Sequence, residues 1–196
     1  MIEGIYTALI TPFKRGELDE KSFIKILDKQ IKSNVSGVIP CGATGESSTL
    51  SCDEHNYIVE LAAKHCKNKI QVIAGTGSHS TSEVIMFTKH AERCGADAAL
   101  VVVPYYNKPS QDGLYKHFKA IHDNTKIPII LDNVPSRCSI GISISLLEKL
   151  AALPRIIGIK DTSSDLSLPI IAKLKLGKNF IQLSGEDSTL LPFYAT

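Results

Sequence analysis

The residue with the clearest chemical potential is a lysine that ends an apolar run, Ile156-Ile157-Gly158-Ile159-Lys160-Asp161-Thr162. Burying an ammonium without a partner is costly, so an amine at such a place favours its neutral, nucleophilic form. A neutral amine meeting a ketone gives a Schiff base. A lysine whose stem lies along the strand while its head reaches water fits the same residues. Three other segments join it. Cys41-Gly42-Ala43-Thr44-Gly45-Glu46-Ser47 is a glycine-rich turn whose backbone N–H groups can cradle a small carboxylate; a purely structural turn accounts for it equally well. Pro104-Tyr105-Tyr106-Asn107-Lys108-Pro109 puts two phenols in a proline-bracketed loop, with packing as the other reading. Asp132-Asn133-Val134-Pro135-Ser136-Arg137 offers a carboxylate and a guanidinium able to hold another carboxylate through two parallel hydrogen bonds. Arg137 also fits as a solvated loop residue. The six histidines show no ligand spacing, and neither a G-x-S-x-G elbow nor a Walker loop occurs.

Elements must bring these segments together. Short β-branched apolar runs alternate with longer stretches of helical periodicity, and Gly or Pro marks their ends. The expected strands are Gly4–Thr11, Gly37–Cys41, Lys69–Gly75, Ala98–Pro104, Pro128–Asn133, Ile156–Asp161 and Phe180–Ser184. Their spacing of roughly 25 to 33 residues suits one strand and one crossover helix. Runs apolar on both faces belong to parallel strands covered by helices. Phe23, Ile24, Leu27 and Ile31 mark one amphipathic helix, and Ser80-Thr81-Ser82-Glu83 reads as a capping start for another. The expected fold is α/β, a TIM (β/α)8-type barrel truncated after the seventh strand, with residues 1–196 as one incomplete domain. A full barrel takes about 250 residues. Residues 190–196 read as the opening turns of a further helix, and strands one and seven are left as apolar edges. The competing architecture is an open doubly wound sheet, which lacks its G-x-G-x-x-G after the first strand. In a barrel, the four segments all fall at the carboxyl ends of strands, where such folds carry their chemistry.

Composition narrows the function classes. With 22 Lys+Arg against 20 Asp+Glu, the net charge of +2 points to no nucleic-acid partner. At 43% hydrophobic and 21% charged the chain can fill one sizeable core. No apolar run approaches the roughly 20 residues of a membrane span, and the N-terminus shows no secretory pattern. Five scattered cysteines without C-x-x-C spacing suit free thiols in a reducing compartment, so the expected location is the cytoplasm, without structural zinc.

Taken together, Gly42-Ala43-Thr44-Gly45-Glu46-Ser47, Pro104-Tyr105-Tyr106-Asn107-Lys108-Pro109, Asn133-Val134-Pro135-Ser136-Arg137 and Gly158-Ile159-Lys160-Asp161 resemble the dihydrodipicolinate synthase/N-acetylneuraminate lyase family, in order along the whole chain. The resemblance implies a pyruvate-dependent class I aldolase-type barrel without a resident cofactor. The Asn-Val-Pro-Ser-Arg segment is most similar to members that condense pyruvate with aspartate semialdehyde in lysine biosynthesis. It further implies that Lys160 forms the imine, that Thr44 and neighbouring amides, Ala43's included, hold the pyruvate carboxylate, and that Arg137 holds the carboxylate of the aldehyde substrate. Tyr106 matches a tyrosine exchanged between subunits of a homo-oligomer to complete a proton relay. Ser48, His55, His79, Glu83 and Tyr105 fall where some members bind lysine as feedback inhibitor, although the position of His79 more often resembles asparagine. Two residues depart from the synthase pattern: Ala43 stands for a threonine and Asp132 for a tyrosine of the relay. A carboxylate beside the amine favours its charged form yet supplies an acid/base group. The expectation is an impaired synthase. A non-catalytic paralogue or fragment, or an aldolase for sialic or sugar acids, is the alternative.

Overall fold

A computed structural model describes residues 2–196. Seven parallel strands form one sheet in strictly sequential order: β1 (Tyr6–Ala8), β4 (Gly37–Ile39), β5 (Gln71–Gly75), β6 (Ala98–Val102), β7 (Ile129–Asn133), β8 (Ile156–Asp161) and β9 (Ile181–Ser184). Between β1 and α1 (Glu20–Lys32) lies a hairpin of β2 (Phe13–Lys14) and β3 (Glu17–Leu18). The other helices are α2 (Cys52–Cys66), α3 (Thr81–Cys94), α4 (Gln111–Asn124), α5 (Pro135–Cys138), α6 (Ile144–Ala151), α7 (Ser167–Leu176) and α8 (Leu190–Tyr194).

All seven expected strands are present, and the architecture is the expected TIM-type barrel opened between β1 and β9. The described residues place no strand between those two edges. Strand side chains alternate between two apolar layers. Ile39, Ile73, Ala98, Leu100 and Ile130 fill the barrel interior, with Tyr6, Ile157, Ile181 and Leu183 packed against them. Val101, Leu131 and Ile159 face outward instead, onto Leu114, Phe118, Leu147 and Leu150 of the helices. At the open edge this covering thins. Every residue of β9 is only half-buried, and Ile5, Ile10, Leu174 and Leu191 stand exposed.

Side-chain caps explain four of the eight helix starts among the described residues. Asp19 accepts from Ser22 N (3.0 Å), Ser51 and Glu54 form a reciprocal capping box, and Ser110 and Ser143 cap α4 and α6. The expected capping start at Ser80 is different in kind. α3 does begin at Thr81, but the Ser80 hydroxyl bonds Ser82 Oγ (3.0 Å) rather than a helix amide. Glu83, the acidic member of that pattern, takes a hydrogen bond from Ser78 Oγ. The β2–β3 hairpin is not visible in the sequence pattern because its turn is Arg15-Gly16, both at positive φ, and a non-glycine residue at the first of these positions is a weak signal.

One buried histidine makes the fold acid-sensitive. His117 is 6% exposed; its Nδ1 lies 2.8 Å from Thr81 Oγ1 and its Nε2 has no partner among the described residues. Burial pulls its pKa down to about 4. The unfolded chain, titrating near 6.5, therefore binds a proton that the folded chain refuses, and stability drains away as pH falls from about 6.5 toward 4. In a His117→Gln variant, unfolding midpoints measured across that window should fall less steeply, by up to about 3 kcal/mol at its acid end.

Candidate active site

The sheet register carries Lys160 and Asp132 to one place. They are Cα partners across β8 and β7, two residues beyond the partners Gly158 and Ile130. Because side chains alternate, both lie on the face of Ile130, which is the barrel interior. The Lys160 amine donates to Asp132 Oδ1 at 2.8 Å, with Thr162 Oγ1 at 3.5 Å. Side-chain exposure is 19% for the lysine and 9% for the aspartate. The ammonium therefore has its partner in a neighbouring strand, and the reading of an amine extended into bulk water is set aside.

The amine also rests on Gly185. A Cβ at that position would come within 2.9 Å of Lys160 Cε, 3.0 Å of its Nζ and 2.3 Å of Thr162 Oγ1. Gly185 is fixed in turn by its N–H, which donates to Asp161 O (2.7 Å). The sequence pattern does not single out Gly185, since its meaning appears only once β9 lies beside β8.

Asp132 lines a cavity of about 470 Å³ together with Gly42, Ala43, Ser48, Tyr105 and Arg137. The glycine turn enters it as a single 3-10 turn, Ala43–Gly45, held by Gly45 N donating to Gly42 O (3.0 Å). The amides of Ala43 and Thr44 precede this first bond and have no partner within the turn. Cys41 reaches the turn with φ +54, and its carbonyl presses on Gly75, where a Cβ would stand 2.2 Å from the oxygen. A side chain at 75 would push the turn out of place.

Arg137 sits on α5, whose N-terminal proline and αL cap at Ser139 fold the segment into one turn against the cavity. Among the described residues no carboxylate lies within ion-pair distance of its guanidinium, which remains available to an anion. Cys41 and Cys138 also line the cavity and stay as neutral thiols. Burial pushes both up, Cys138 to about 11 with the Asp132 charge adding to the effect. Thus Asp132, Ala43 and Arg137 line one cavity, and Lys160 joins them through its contact with Asp132. Thr44 follows Ala43 in the turn and is exposed like it, but lies outside the cavity lining. Tyr106 does not converge: it is 82% exposed, beside His79.

The second group is looser. Tyr105 OH lies 3.4 Å from His79 Nδ1, and burial raises the phenol above its usual range. His55 is 3% exposed, stacked 3.9 Å from Phe87, with Nε2 against Gly75 O (2.8 Å). Its Nε2 is engaged by that carbonyl, while its Nδ1 is buried without a hydrogen-bond partner among the described residues, and the ring lies outside the cavity lining.

Known proteins share this fold. The chain is 47% identical over 195 residues to the 4-hydroxy-tetrahydrodipicolinate synthase of Rhodospirillum centenum, covering 100% of this chain and 67% of that one. The Pelagibacter ubique synthase is 50% identical over 193 residues, covering 98% and 66%. Among solved structures, the synthase of Methylacidiphilum fumariolicum superposes with a TM-score of 0.97 at 43% identity, covering 100% of this chain and 65% of that one. That of Acinetobacter baumannii, complexed with pyruvate, gives 0.95 at 40% identity, covering 98% and 67%. That of Cyanidioschyzon merolae, with lysine bound, gives 0.93 at 35% identity, covering 97% and 65%. The chain thus spans about two thirds of the length of these relatives. The model of the dihydrodipicolinate synthetase family matches residues 1–196. With its family model matched end to end and relatives 47% and 50% identical along it, the chain belongs to the dihydrodipicolinate synthetase family.

Proposed function

We propose that the chain carries the imine-forming site of a pyruvate-dependent synthase that adds pyruvate to aspartate semialdehyde, in the cytoplasm and as part of lysine biosynthesis. The observation that carries this reading is the 2.8 Å contact of Lys160 with Asp132, which lines a cavity together with Arg137. An ammonium has no lone pair with which to attack a carbonyl, and Asp132 is the acceptor within reach of its proton. Once deprotonated, Nζ adds to C2 of pyruvate, and loss of water leaves the imine. Removal of a C3 proton gives an enamine, whose C3 attacks the aldehyde carbon; hydrolysis then returns Lys160 and releases product. Asp132 shuttles protons in the first steps. Ala43 and Thr44 amides hold the pyruvate carboxylate, and Arg137 pairs with the carboxylate of the semialdehyde.

Tyr106, exposed on its own chain, completes the relay in a partner copy, so the working form is a homo-oligomer. With Ala43 and Asp132 in place of two hydroxyl residues, the relay runs slower than in a threonine- and tyrosine-bearing synthase. Lysine acts as feedback ligand near Tyr105, His79 and Glu83, a reading supported by the lysine-bound relative.

The second substrate is tested through Arg137. Arg137→Leu should raise the KM for aspartate semialdehyde about 10- to 100-fold, the worth of a charge-assisted hydrogen bond, with half-saturation by pyruvate unchanged. Steady-state assays with the semialdehyde and with a neutral sugar aldehyde decide the matter. Preference for the sugar, indifferent to Arg137, would move the chain to the sugar-acid aldolases.

A further inference from the structure

One register step beyond the reacting pair lies a second pair, Asn133 and Asp161. Alternation turns it to the opposite face, outward with Leu131 and Ile159, so neither side chain points at the cavity. Both are buried, at 3% and 6% exposure. Asn133 Nδ2 donates to Asp161 Oδ1 (2.6 Å), and Asp161 Oδ2 accepts from Ser163 N (3.1 Å) and Ser163 Oγ (2.5 Å). Asn133 Oδ1 accepts from Ile142 N (3.0 Å), in the loop leaving α5.

A buried carboxylate without a cation is tolerated only when such donors satisfy it, and an apolar pair would fill the same layer without that requirement. What the polar pair adds is a link between three segments. Asn133 follows Asp132, Asp161 follows Lys160, and the Ile142 loop anchors the turn bearing Arg137. The backbone repeats the link, with Thr162 N donating to Asn133 O (2.9 Å) and Gly185 N to Asp161 O (2.7 Å).

We infer that Asn133 and Asp161 are positioning residues, a buried clamp that sets the Lys160 amine, the Asp132 carboxylate and the Arg137 guanidinium in one frame without touching substrate. The inference rests on the imine reading above. Misplacement of reacting groups by about 1 Å can slow a reaction ~100-fold. The clamp therefore governs a rate constant, whereas a residue that only stabilises the fold governs how much protein is folded.

The test uses Asn133→Ala and the shape-conserving Asp161→Asn, each checked for folding by circular dichroism. With saturating pyruvate and borohydride, the first-order rate of adduct formation should fall about 100-fold in Asn133→Ala and about 10-fold in Asp161→Asn, while the final yield per folded chain is kept. A second readout needs no pyruvate: formaldehyde and borohydride should methylate Lys160 several-fold faster in both variants, because its contact with Asp132 loosens. Should Asn133→Ala fail to fold, Asp161→Asn decides by the same two measurements. Lower yield at an unchanged rate, with unchanged methylation of Lys160, would overturn the clamp. If the unmodified protein gives no pyruvate adduct, the imine reading fails separately, and the methylation rates alone decide for or against the clamp.

Discussion

Replacing Lys160 with alanine should abolish condensation and destabilise the protein at the same time. The first effect follows because, among the described residues, no other amine pairs with Asp132. The second follows from what remains. Asp132, with 9% of its side chain exposed, loses its counter-charge. Removing one member of a buried pair costs roughly 3–5 kcal/mol, and the partial exposure of Lys160 places this case at the lower end. Adding Asp132→Leu to Lys160→Ala should recover most of the stability and none of the activity, because the orphaned charge is gone but the nucleophile is not restored. Urea unfolding of the three proteins, with turnover measured on each, separates the two effects. If Lys160→Ala were as stable as the parent, the ion pair would contribute nothing to the fold.

The second large effect is a gain. Ala43→Thr combined with Asp132→Tyr should raise turnover with pyruvate and aspartate semialdehyde about 100-fold, the scale of one well-placed proton-transfer group. The double change removes the carboxylate that binds the ammonium and supplies two hydroxyls to work with Tyr106. The cavity of about 470 Å³ has room for the phenol. Asp132→Asn gives the contrasting result: it keeps the shape and a hydrogen bond to Nζ but takes up no proton, so turnover falls. A drop in the doubly substituted protein as well would mean that Asp132 has fully replaced the relay.

Much of this was legible in the sequence because it depends on local pattern. Apolar β-branched runs bounded by Gly and Pro locate β4 to β9, and a lysine ending one such run is conspicuous beside its neighbours. Arg137 and the glycine turn are likewise visible as residues that follow strands. What stayed hidden depends on contacts distant in the chain. Gly185 matters only because β9 carries it under the Lys160 amine. Asn133 and Asp161 look like ordinary polar strand ends until the register pairs them. Ser80 has the type and spacing of a cap, yet its hydroxyl prefers Ser82 over a helix amide. Tyr106 was legible as a motif but not as a position, since its own chain leaves it in solvent.

A covalent bond between the Lys160 nitrogen and pyruvate is what intact-mass spectrometry after borohydride reduction in the presence of pyruvate detects. A single adduct should form, with the mass of pyruvic acid less one oxygen atom, mapped by peptide analysis to Lys160. An unmodified protein, or an adduct on a different lysine, would contradict that assignment.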